Sequence, residues 1–375
     1  MRVVDITHFY NRKSGGVKSY LLSKAEFFSK YRDINHTIVV PGEENKRERI
    51  YNTEIYYIKS PEVFFWKPYR IIRSKKDVLE ILRLVKPDIV EVGSPFFLPK
   101  IVNEFKPNIG YKSIGFFHSN LETSFYSVFR HRFKNNFIKT VLRKYTYNNY
   151  KDFDLILSPS EFTKRYINNV GLENVKVVRI GVDTNIFKPE DKKNSKLDLN
   201  LPVDKIVLLY VGRFSKDKSI HELLDIFNTI DYLYRDRFFL HLVGGGPEER
   251  KLEKYIHSKN YRITPYINDK NLLRKIYNSA DLFISTSRSD TYGISILESQ
   301  ACGTPVLVYS KTSFSEITYY TELISENKYM MIKKLTEFEP SKYSPSELSN
   351  FIKENFSLES CFENLLKIYY ESQEF

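Results

Sequence analysis

One segment carries the strongest structural signal in this chain: Ser285-Thr-Ser-Arg-Ser-Asp-Thr-Tyr-Gly-Ile-Ser-Ile-Leu-Glu-Ser-Gln-Ala-Cys-Gly-Thr-Pro-Val-Leu-Val308. A short apolar run leads into it, and a polar loop with Gly293 follows. Residues 294–301 then read as a helix that stops at Gly303. The pattern predicts a strand, a loop and a helix.

Two carboxylates flank the glycine of this loop. Asp290 and Glu298 lie eight positions apart, on either side of Gly293. The backbone N–H groups from Tyr292 to Ser295 form a helix start, which attracts anions. A carboxylate before the turn and one after it are suited to bind hydroxyl groups. A diphosphate flanked by two sugars fits this arrangement.

The same strand and helix pattern occurs twice along the chain. Predicted strands of the first half cover residues 3–6, 37–40, 88–92, 114–117, 155–157 and 175–180, and those of the second half cover residues 206–211, 238–243, 263–266, 282–285 and 305–308. Such alternation predicts α/β domains with a parallel sheet and helices on both faces. We expect two Rossmann-like doubly wound domains, residues 1–189 and 190–357, with the ligand in the cleft between them.

The composition narrows the possible partners and compartments. The chain has 375 residues, of which 42% are hydrophobic, and a formal net charge of +12. This charge favours a polyanionic partner: nucleic acid, anionic lipid or a phosphorylated substrate. No apolar run approaches the roughly 18 residues that span a bilayer, and no signal-peptide pattern opens the chain. We therefore expect a cytoplasmic protein.

Two fixed cations follow the first strand of the second half. Arg213 and Lys218 lie five residues apart in Gly-Arg-Phe-Ser-Lys-Asp-Lys, on the loop that leaves the strand. Cations at this place can neutralise a diphosphate leaving group. The alternative is a solvated basic loop, which is common in a chain with 58 Lys and Arg residues.

Together the two motifs resemble those of the retaining family 4 glycosyltransferases with the GT-B fold. That family has an E-x7-E signature, and Asp290 stands here where its first Glu is usual. The cation loop resembles the family's G-R-x-x-x-x-K motif. The resemblance reaches to about residue 317 and is specific at residues 177–189, 212–218 and 285–306. It also implies that a C-terminal helix in residues 358–375 crosses back to the first domain.

The resemblance implies a role for each of these side chains. Glu298 would hold the ribose and Asp290 the donor sugar. Arg213 and Lys218 would bind the diphosphate, with help from the N–H groups near Gly293. The departing phosphate oxygen would take the acceptor proton, so that no separate carboxylate base is needed.

Three further positions come from the same resemblance. Gly15 and Gly16 would face the donor phosphate, although an ordinary turn is the better explanation of a lone Gly-Gly taken by itself. His118, at the end of a predicted strand, would contact the donor sugar. The loop near Ile267 would select the nucleotide base through its backbone. The predicted catalytic residues are His118, Asp290, Arg213 and Lys218, and the predicted donor-binding residues are Gly15, Gly16, Arg213, Lys218, Ile267, Tyr292, Gly293, Ile294 and Glu298.

No metal or cofactor is predicted besides the nucleotide diphosphate sugar itself. Asp152 and Asp154 form a D-x-D string, which binds metal in other glycosyltransferases. Here the string directly precedes a predicted strand, and Arg213 and Lys218 supply the positive charge. We therefore interpret it as structural.

Residues 123–150 combine six cations with interleaved aromatic residues and contain no acidic residue. Such a segment can lie on an anionic membrane, or its aromatic residues can pack into the domain core. Residues 91–98 resemble the matching stretch of diacylglycerol, phosphatidylinositol and sulfoquinovosyl transferases. The preferred interpretation is a hexosyltransferase that uses a UDP- or GDP-sugar and a lipid-linked hydroxyl acceptor, at the inner face of the cell membrane.

Three alternatives remain open at this point. The acceptor could be soluble. The protein could also be a lapsed sugar-nucleotide binder, because Asp290 replaces the usual Glu. Finally, cations and stacking aromatics in residues 123–150 could bind a nucleic-acid strand, although no nucleic-acid module is recognised.

Overall fold

The computed structural model describes residues 1–10, 16–63, 69–118, 120–122 and 136–374. These residues divide into two compact units. The first contains the described residues up to 122 together with residues 136–180 and 361–374, and the second contains residues 181–360. These divisions fall after residues 180 and 360, whereas the predicted domain boundaries are at residues 189 and 357.

The first unit is built on an eight-stranded sheet. Its strands are β1 (Arg2–Ile6), β2 (Asn35–Gly42), β3 (Lys46–Ile50), β4 (Thr53–Lys59), β5 (Ile89–Val92), β6 (Lys112–Phe116), β7 (Leu155–Ser158) and β8 (Val175–Val177). They are ordered β3-β4-β2-β1-β5-β6-β7-β8, and every neighbouring pair is parallel except β3 with β4. The sequence patterns miss β3 and β4. Four of the five residues of β3 are charged, which is typical of an edge strand and leaves no apolar run.

Helices connect the parallel strands of this unit. They are α1 (Gly16–Phe28), α2 (Lys75–Val85), α3 (Leu98–Ile109), α4 (Asn136–Tyr150) and α5 (Glu161–Asn169). The Ser74 hydroxyl caps the start of α2 by accepting from the backbone N–H of Asp77. Val78 and Leu82 of α2 are buried in the core, which places the helix against the sheet.

The second unit has a six-stranded sheet in which every pair is parallel. Its strands are β9 (Ile206–Arg213), β10 (Phe238–Gly245), β11 (Tyr261–Thr264), β12 (Leu282–Ile284), β13 (Val306–Tyr309) and β14 (Ile324–Ser325). The order is β11-β10-β9-β12-β13-β14. Leu208 and Tyr210 of β9 belong to the core of this unit. The carboxyl ends of β9 and β12 are neighbours at the centre of the sheet, which brings the loops that follow them together.

Eight helices are described from residue 192 onward. They are α6 (Lys192–Asp198), α7 (Ile220–Leu233), α8 (Glu249–Tyr255), α9 (Lys270–Ser279), α10 (Ile294–Ala301), α11 (Lys328–Thr336), α12 (Pro345–Phe356) and α13 (Leu358–Gln373). The bounds of α10 are those predicted from the sequence. From residue 361 onward α13 packs in the first unit. Among the described residues, no helix has the length and apolar character needed to cross a bilayer.

Candidate functional site

The cation loop begins where β9 ends. Gly212 pairs in register with Gly244 of β10, and the two backbones approach closely. Gly244 has φ +144°, and a Cβ there would lie 1.9 Å from the Gly212 carbonyl oxygen. Glycine is therefore required at position 244, because no side chain fits between the strands. This contact fixes the point from which Arg213 leaves the sheet.

Both predicted cations of this loop have a carboxylate partner. Nη2 of Arg213 lies 2.9 Å from Oδ2 of Asp217, while the Arg213 side chain remains 53% exposed. Nζ of Lys218 bonds to Oδ1 of Asp290. Burial raises the pKa of Asp217, but the positive charges of Arg213 and Lys218 outweigh burial and hold that pKa below its ordinary value. Asp217 is therefore ionised and keeps the loop ordered.

The loop after β12 is fastened to the cation loop at several points. The Ser289 hydroxyl donates to the Asp217 carbonyl at 3.0 Å, and the Thr286 hydroxyl donates to the Ser219 carbonyl at 2.9 Å. Together with the bond between Lys218 and Asp290, these contacts join the two predicted motifs. The sequence places them 72 residues apart, and the fold makes them neighbours.

Arg288 makes a further contact that fixes the same loop. Its guanidinium forms two hydrogen bonds with the Glu222 carboxylate on α7, and it lies 3.8 Å from the ring centroid of Tyr309. The Tyr309 hydroxyl donates to the same carboxylate at 2.8 Å. A bidentate pair of this kind restricts the direction as well as the distance of the loop. Arg288 therefore fixes the backbone two residues before Asp290.

The turn between Asp290 and α10 is shaped by close packing. A Cβ at Gly293 would lie 2.6 Å from Cδ1 of the buried Phe314, so only glycine fits. The Ser313 hydroxyl lies within hydrogen-bonding distance of the Asp290 and Tyr292 carbonyls, at 2.8 and 2.6 Å. Gly293 forms the N-cap of α10, and among the described side chains none caps this helix. The first backbone N–H groups of α10, starting at Ile294, can therefore donate hydrogen bonds to a bound anion.

Glu298 is half-buried on α10, one turn after the helix start. Burial raises the pKa of its carboxyl to about 7, against the opposing effects of Tyr277 and Lys270. The Tyr277 hydroxyl donates to Oε2 of Glu298 at 2.7 Å. At neutral pH this carboxyl exists in both protonation states.

The predicted base-selecting residue Ile267 lies in the loop between β11 and α9. Its side chain is half-buried, whereas the neighbouring Tyr266 is 58% exposed. The loop ends at Asp269, whose carboxylate accepts from the backbone N–H groups of Asn271 and Leu272. This cap fixes the exit of the loop into α9.

His118 belongs to the first unit and lies two residues after the end of β6. Its ring stacks on Phe116 at a centroid distance of 4.0 Å, and Tyr20 meets it nearly edge-on at 5.2 Å. Burial, together with the positive charge of Lys24, lowers the pKa of His118 to about 3, against the opposing effect of Asp5. The imidazole is therefore neutral near neutral pH. Gly16 is the first residue of α1 and is exposed, whereas Gly15 lies outside the described residues.

Asp154 of the D-x-D string has partners within the protein. Its carboxylate accepts from the Ser113 backbone N–H at 2.8 Å and from Lys106 at 3.0 Å. These bonds fix the segment that leads into β7. Within the part of the chain that the structure describes, no three His, Cys, Asp or Glu side chains are grouped to hold a metal ion.

Helix α4 is the described part of the basic aromatic segment, since residues 123–135 lie outside the described residues. Phe137 and Val141 are 71% and 49% exposed, and Lys139 and Lys144 are exposed as well. Only the far end of the helix is buried, where Tyr150 packs in the core of the first unit. Some aromatic residues of α4 therefore belong to the core, whereas others are exposed.

Sequence reasoning missed several residues of this site. Tyr277 lies 21 residues before its partner Glu298, and Glu222 lies 66 residues before its partner Arg288, so nothing in the spacing links them. Asp217 lies inside the predicted cation motif, and its charge between two cations could have identified it as their partner.

Two family models match the chain. The model described as Glycosyltransferase Family 4 matches residues 14–186, and the model described as Glycosyl transferases group 1 matches residues 191–351. The boundary between the two matches falls at the linker between the predicted domains. The second match contains the cation loop and both predicted carboxylates.

Curated relatives and a solved structure agree with these matches. The chain is 24% identical, over 84% of its length and 81% of the relative, to a GDP-mannose-dependent alpha-(1-6)-phosphatidylinositol dimannoside mannosyltransferase of Mycobacterium tuberculosis. It is 24% identical, over 64% of its length and 63% of the relative, to an alpha-monoglucosyldiacylglycerol synthase of Acholeplasma laidlawii. The sucrose-phosphate synthase of Thermosynechococcus elongatus superposes with a TM-score of 0.79 at 17% identity, covering 99% of this chain and 98% of that one.

Proposed function

Since the chain belongs to the family 4 glycosyltransferases and has the GT-B fold, we propose that it transfers a hexose from a nucleotide diphosphate sugar to a hydroxyl acceptor, with retention of configuration at the sugar. The donor is a UDP- or GDP-sugar. The relative named for a GDP-mannose donor supports this donor class. No metal takes part in the proposed reaction.

The observation that carries the proposal is the contact between Lys218 and Asp290. It joins a phosphate-binding cation to a sugar-binding carboxylate at one place, as a nucleotide sugar requires. Arg213 and Lys218 bind the diphosphate and neutralise the charge that develops as the glycosyl bond breaks. The N–H groups at the start of α10 add to this stabilisation.

Two carboxylates fix the donor on either side of the diphosphate. Glu298 accepts hydrogen bonds from the ribose hydroxyls, and Asp290 accepts from a hydroxyl of the transferred sugar. His118, being neutral, contacts the sugar as a hydrogen-bonding group without adding positive charge beside the departing phosphate. The departing phosphate oxygen accepts the acceptor's proton, so that attack and departure occur on the same face of the sugar.

The proposed acceptor is a lipid or a lipid-linked glycan. Two relatives are named for phosphatidylinositol dimannoside and diacylglycerol products. Exposed Phe137 and Val141 beside Lys139 and Lys144 on α4 are suited to an anionic lipid surface. Each cation near such a surface contributes about 1 kcal/mol of attraction. We place the enzyme on the inner face of the cell membrane.

Release of nucleotide diphosphate from a panel of UDP- and GDP-sugars tests the proposal. The panel is run with and without vesicles that contain diacylglycerol or phosphatidylinositol. We expect release from one donor, stimulation by one type of vesicle, and loss of release in Arg213→Ala and Glu298→Ala. Lys216→Ala is the matched control, because Lys216 is an exposed cation of the same loop with no assigned role.

The other outcomes separate the alternatives. Turnover that needs no vesicle and accepts a water-soluble hydroxyl compound would contradict the lipid acceptor. Donor binding without turnover on any acceptor would contradict the transferase and indicate a lapsed binder. Salt-sensitive binding of nucleic acid without binding of any donor would contradict both.

A further inference from the structure

A cluster of buried polar side chains lies beneath His118 in the first unit. Its centre is Lys24 of α1, which is fully buried. Nζ of Lys24 lies 2.8 Å from Oδ1 of Asp5, 3.3 Å from Oε1 of Glu91 and 2.7 Å from the Tyr369 hydroxyl. A buried lysine persists only where its charge is paired and its donors are satisfied. These three contacts meet that requirement.

The C-terminal helix α13 enters this cluster at two positions. Tyr369 bonds through its hydroxyl to Oε2 of Glu91 as well as contacting Lys24. About two helical turns before Tyr369, the ring of Phe362 packs against Tyr20 of α1 at a centroid distance of 5.7 Å. The Tyr20 hydroxyl donates to the other Glu91 oxygen at 3.2 Å. The helix therefore braces Tyr20 directly through Phe362 and indirectly through Glu91.

Tyr20 in turn restricts the orientation of the His118 imidazole ring. The two rings meet at 5.2 Å with an interplanar angle of 63°, while Phe116 stacks on the imidazole at 4.0 Å and 27°. Tyr20 also meets Phe116 edge-on at 5.4 Å. A Cβ at Gly93, the residue after β5, would lie 3.2 Å from Cδ2 of His118, so the end of β5 is also close. The imidazole plane is set by these neighbours.

We propose that Tyr20 is a positioning residue for His118, and that the C-terminal helix holds Tyr20 in place through Phe362 and Tyr369. The inference rests on the proposed function only where it gives His118 a role beside the donor sugar. An imidazole ring that turns away from the sugar loses its contact with it in the transition state. The rate should then fall strongly, because small displacements of a positioned group reduce the rate by large factors. The last helix of the chain thereby controls a residue of the site without touching the substrate.

Burial and the charges of the cluster also act on the pKa of His118. Burial lowers its pKa, and Lys24 lowers it further because a positive neighbour disfavours the imidazolium form. Asp5 opposes this effect. Replacing Tyr20 by a smaller residue would open the imidazole to water and return its pKa toward the ordinary range.

The test compares Tyr20→Leu, Tyr20→Phe, Phe362→Leu and Tyr369→Phe with Tyr370→Phe as the matched control. Tyr370 is the neighbouring tyrosine of α13, and its hydroxyl bonds the exposed Asp33 instead of the cluster. The first measurement follows the His118 ring signals and their pH titration by NMR in protein labelled at histidine. Its signals are assigned by their loss in His118→Gln. This measurement needs neither donor nor turnover.

We expect Tyr20→Leu to shift the His118 signals and raise the pKa of His118, and Tyr20→Phe to have a smaller effect in the same direction, because the ring remains and only the hydrogen bond to Glu91 is lost. Phe362→Leu and Tyr369→Phe should shift the signals in the same direction by a smaller amount. In the second measurement, kcat should fall by about 10-fold or more in Tyr20→Leu while the donor KM changes by less than about 2-fold. Tyr370→Phe should change none of these values.

Unchanged His118 signals in both Tyr20→Leu and Phe362→Leu would overturn the inference, whatever the activity. If Tyr20→Leu does not fold, unchanged His118 signals in both Phe362→Leu and Tyr369→Phe are sufficient to overturn the inference. Failure of the proposed function gives a different result, in which the His118 signals move as expected but wild-type protein turns over no nucleotide sugar.

Discussion

The hydroxyl of Tyr277 donates a 2.7 Å hydrogen bond to Oε2 of Glu298. Tyr277 is completely buried, and its ring contacts Phe187 and Phe283 at centroid distances of 6.0 and 6.2 Å. A residue outside the recognised motifs thus orients the carboxylate proposed to bind the ribose. The hydrogen bond also favours the ionised form of Glu298 against the effect of burial.

Removing this hydroxyl should weaken donor binding more at low pH than at high pH. In Tyr277→Phe the pKa of Glu298 rises further, so a smaller fraction is ionised at neutral pH. We expect the affinity for the cognate nucleotide diphosphate to fall about 3- to 10-fold at pH 6.5, and less at pH 8.5. Calorimetric titration at the two pH values measures this. Tyr232→Phe, which alters a tyrosine that is 76% exposed, serves as the control; an equal loss at both pH values would contradict the prediction.

Glu298→Gln should stabilise the protein at alkaline pH. The pKa of this carboxyl is raised from 4.5 to about 7 in the folded chain. The folded state therefore favours the protonated form, and this contribution is fully present below pH 4.5 and lost as the pH rises through 7. The neutral amide avoids the loss, which amounts to about 2–3 kcal/mol.

Melting temperatures of the wild type and the variant at pH 5 and pH 8 test this prediction. The variant's advantage should be larger at pH 8, and donor affinity should fall because the ribose loses a charged acceptor. Glu354→Gln changes an exposed carboxylate and should show no such pH dependence. A melting-temperature difference that stays constant between pH 5 and pH 8 would show that Glu298 is not buried enough to titrate near 7.

Much of the fold was accessible from the sequence because buried parallel strands read as apolar runs. The helix from Ile294 to Ala301 was predicted to the residue, since Gly293 and Gly303 mark its ends. Side-chain pairings were not accessible in the same way. Arg288 lies inside the most informative segment, yet its partner Glu222 is 66 residues away and no local pattern connects them. Contacts of this kind depend on which strands are neighbours in the sheet.

Asp290→Asn should separate nucleotide binding from turnover. The variant keeps the size of the side chain but removes the negative charge that pairs with Lys218. The freed cation should bind UDP or GDP about 3- to 10-fold more tightly, whereas turnover should fall about 10- to 100-fold because the sugar loses its carboxylate. Titration of the nucleotide and initial rates measure the two effects. Asp225→Asn, at a more exposed ion pair on α7, is the control; weaker nucleotide binding in Asp290→Asn would refute the proposed competition.

Arg288→Lys should impair catalysis more than stability. Lysine cannot form both bonds to Glu222 and loses the planar stacking on Tyr309. The Arg288 side chain is 48% exposed and that of Glu222 is 24% exposed, so the contribution of the pair to stability is about 1 kcal/mol or less. We expect kcat/KM to fall about 10-fold, because the loop that carries Asp290 gains freedom. Arg235→Lys, at an exposed position, should behave as wild type. A loss of melting temperature with unchanged kcat/KM would assign Arg288 to folding alone.

Charge reversal on α4 should release the protein from anionic vesicles. The double variant Lys139→Glu, Lys144→Glu replaces two exposed cations, each contributing about 1 kcal/mol near an anionic surface. The vesicle-bound fraction in sedimentation should fall at least 10-fold, with no change on neutral vesicles. Lys193→Glu, Lys254→Glu makes the same change in net charge on the second unit. Equal losses in the two double variants would point to net charge instead of α4.

Arg213 and Lys218 each hold a carboxylate, Asp217 and Asp290. Inorganic phosphate must compete with these carboxylates for the two cations, and it offers Asp290 no compensating donor. A nucleotide sugar brings phosphates for the cations and hydroxyls for the carboxylate, so it can replace both halves of the ion pair at once. At the proposed donor site, the paired loop would therefore favour a complete nucleotide sugar over free phosphate.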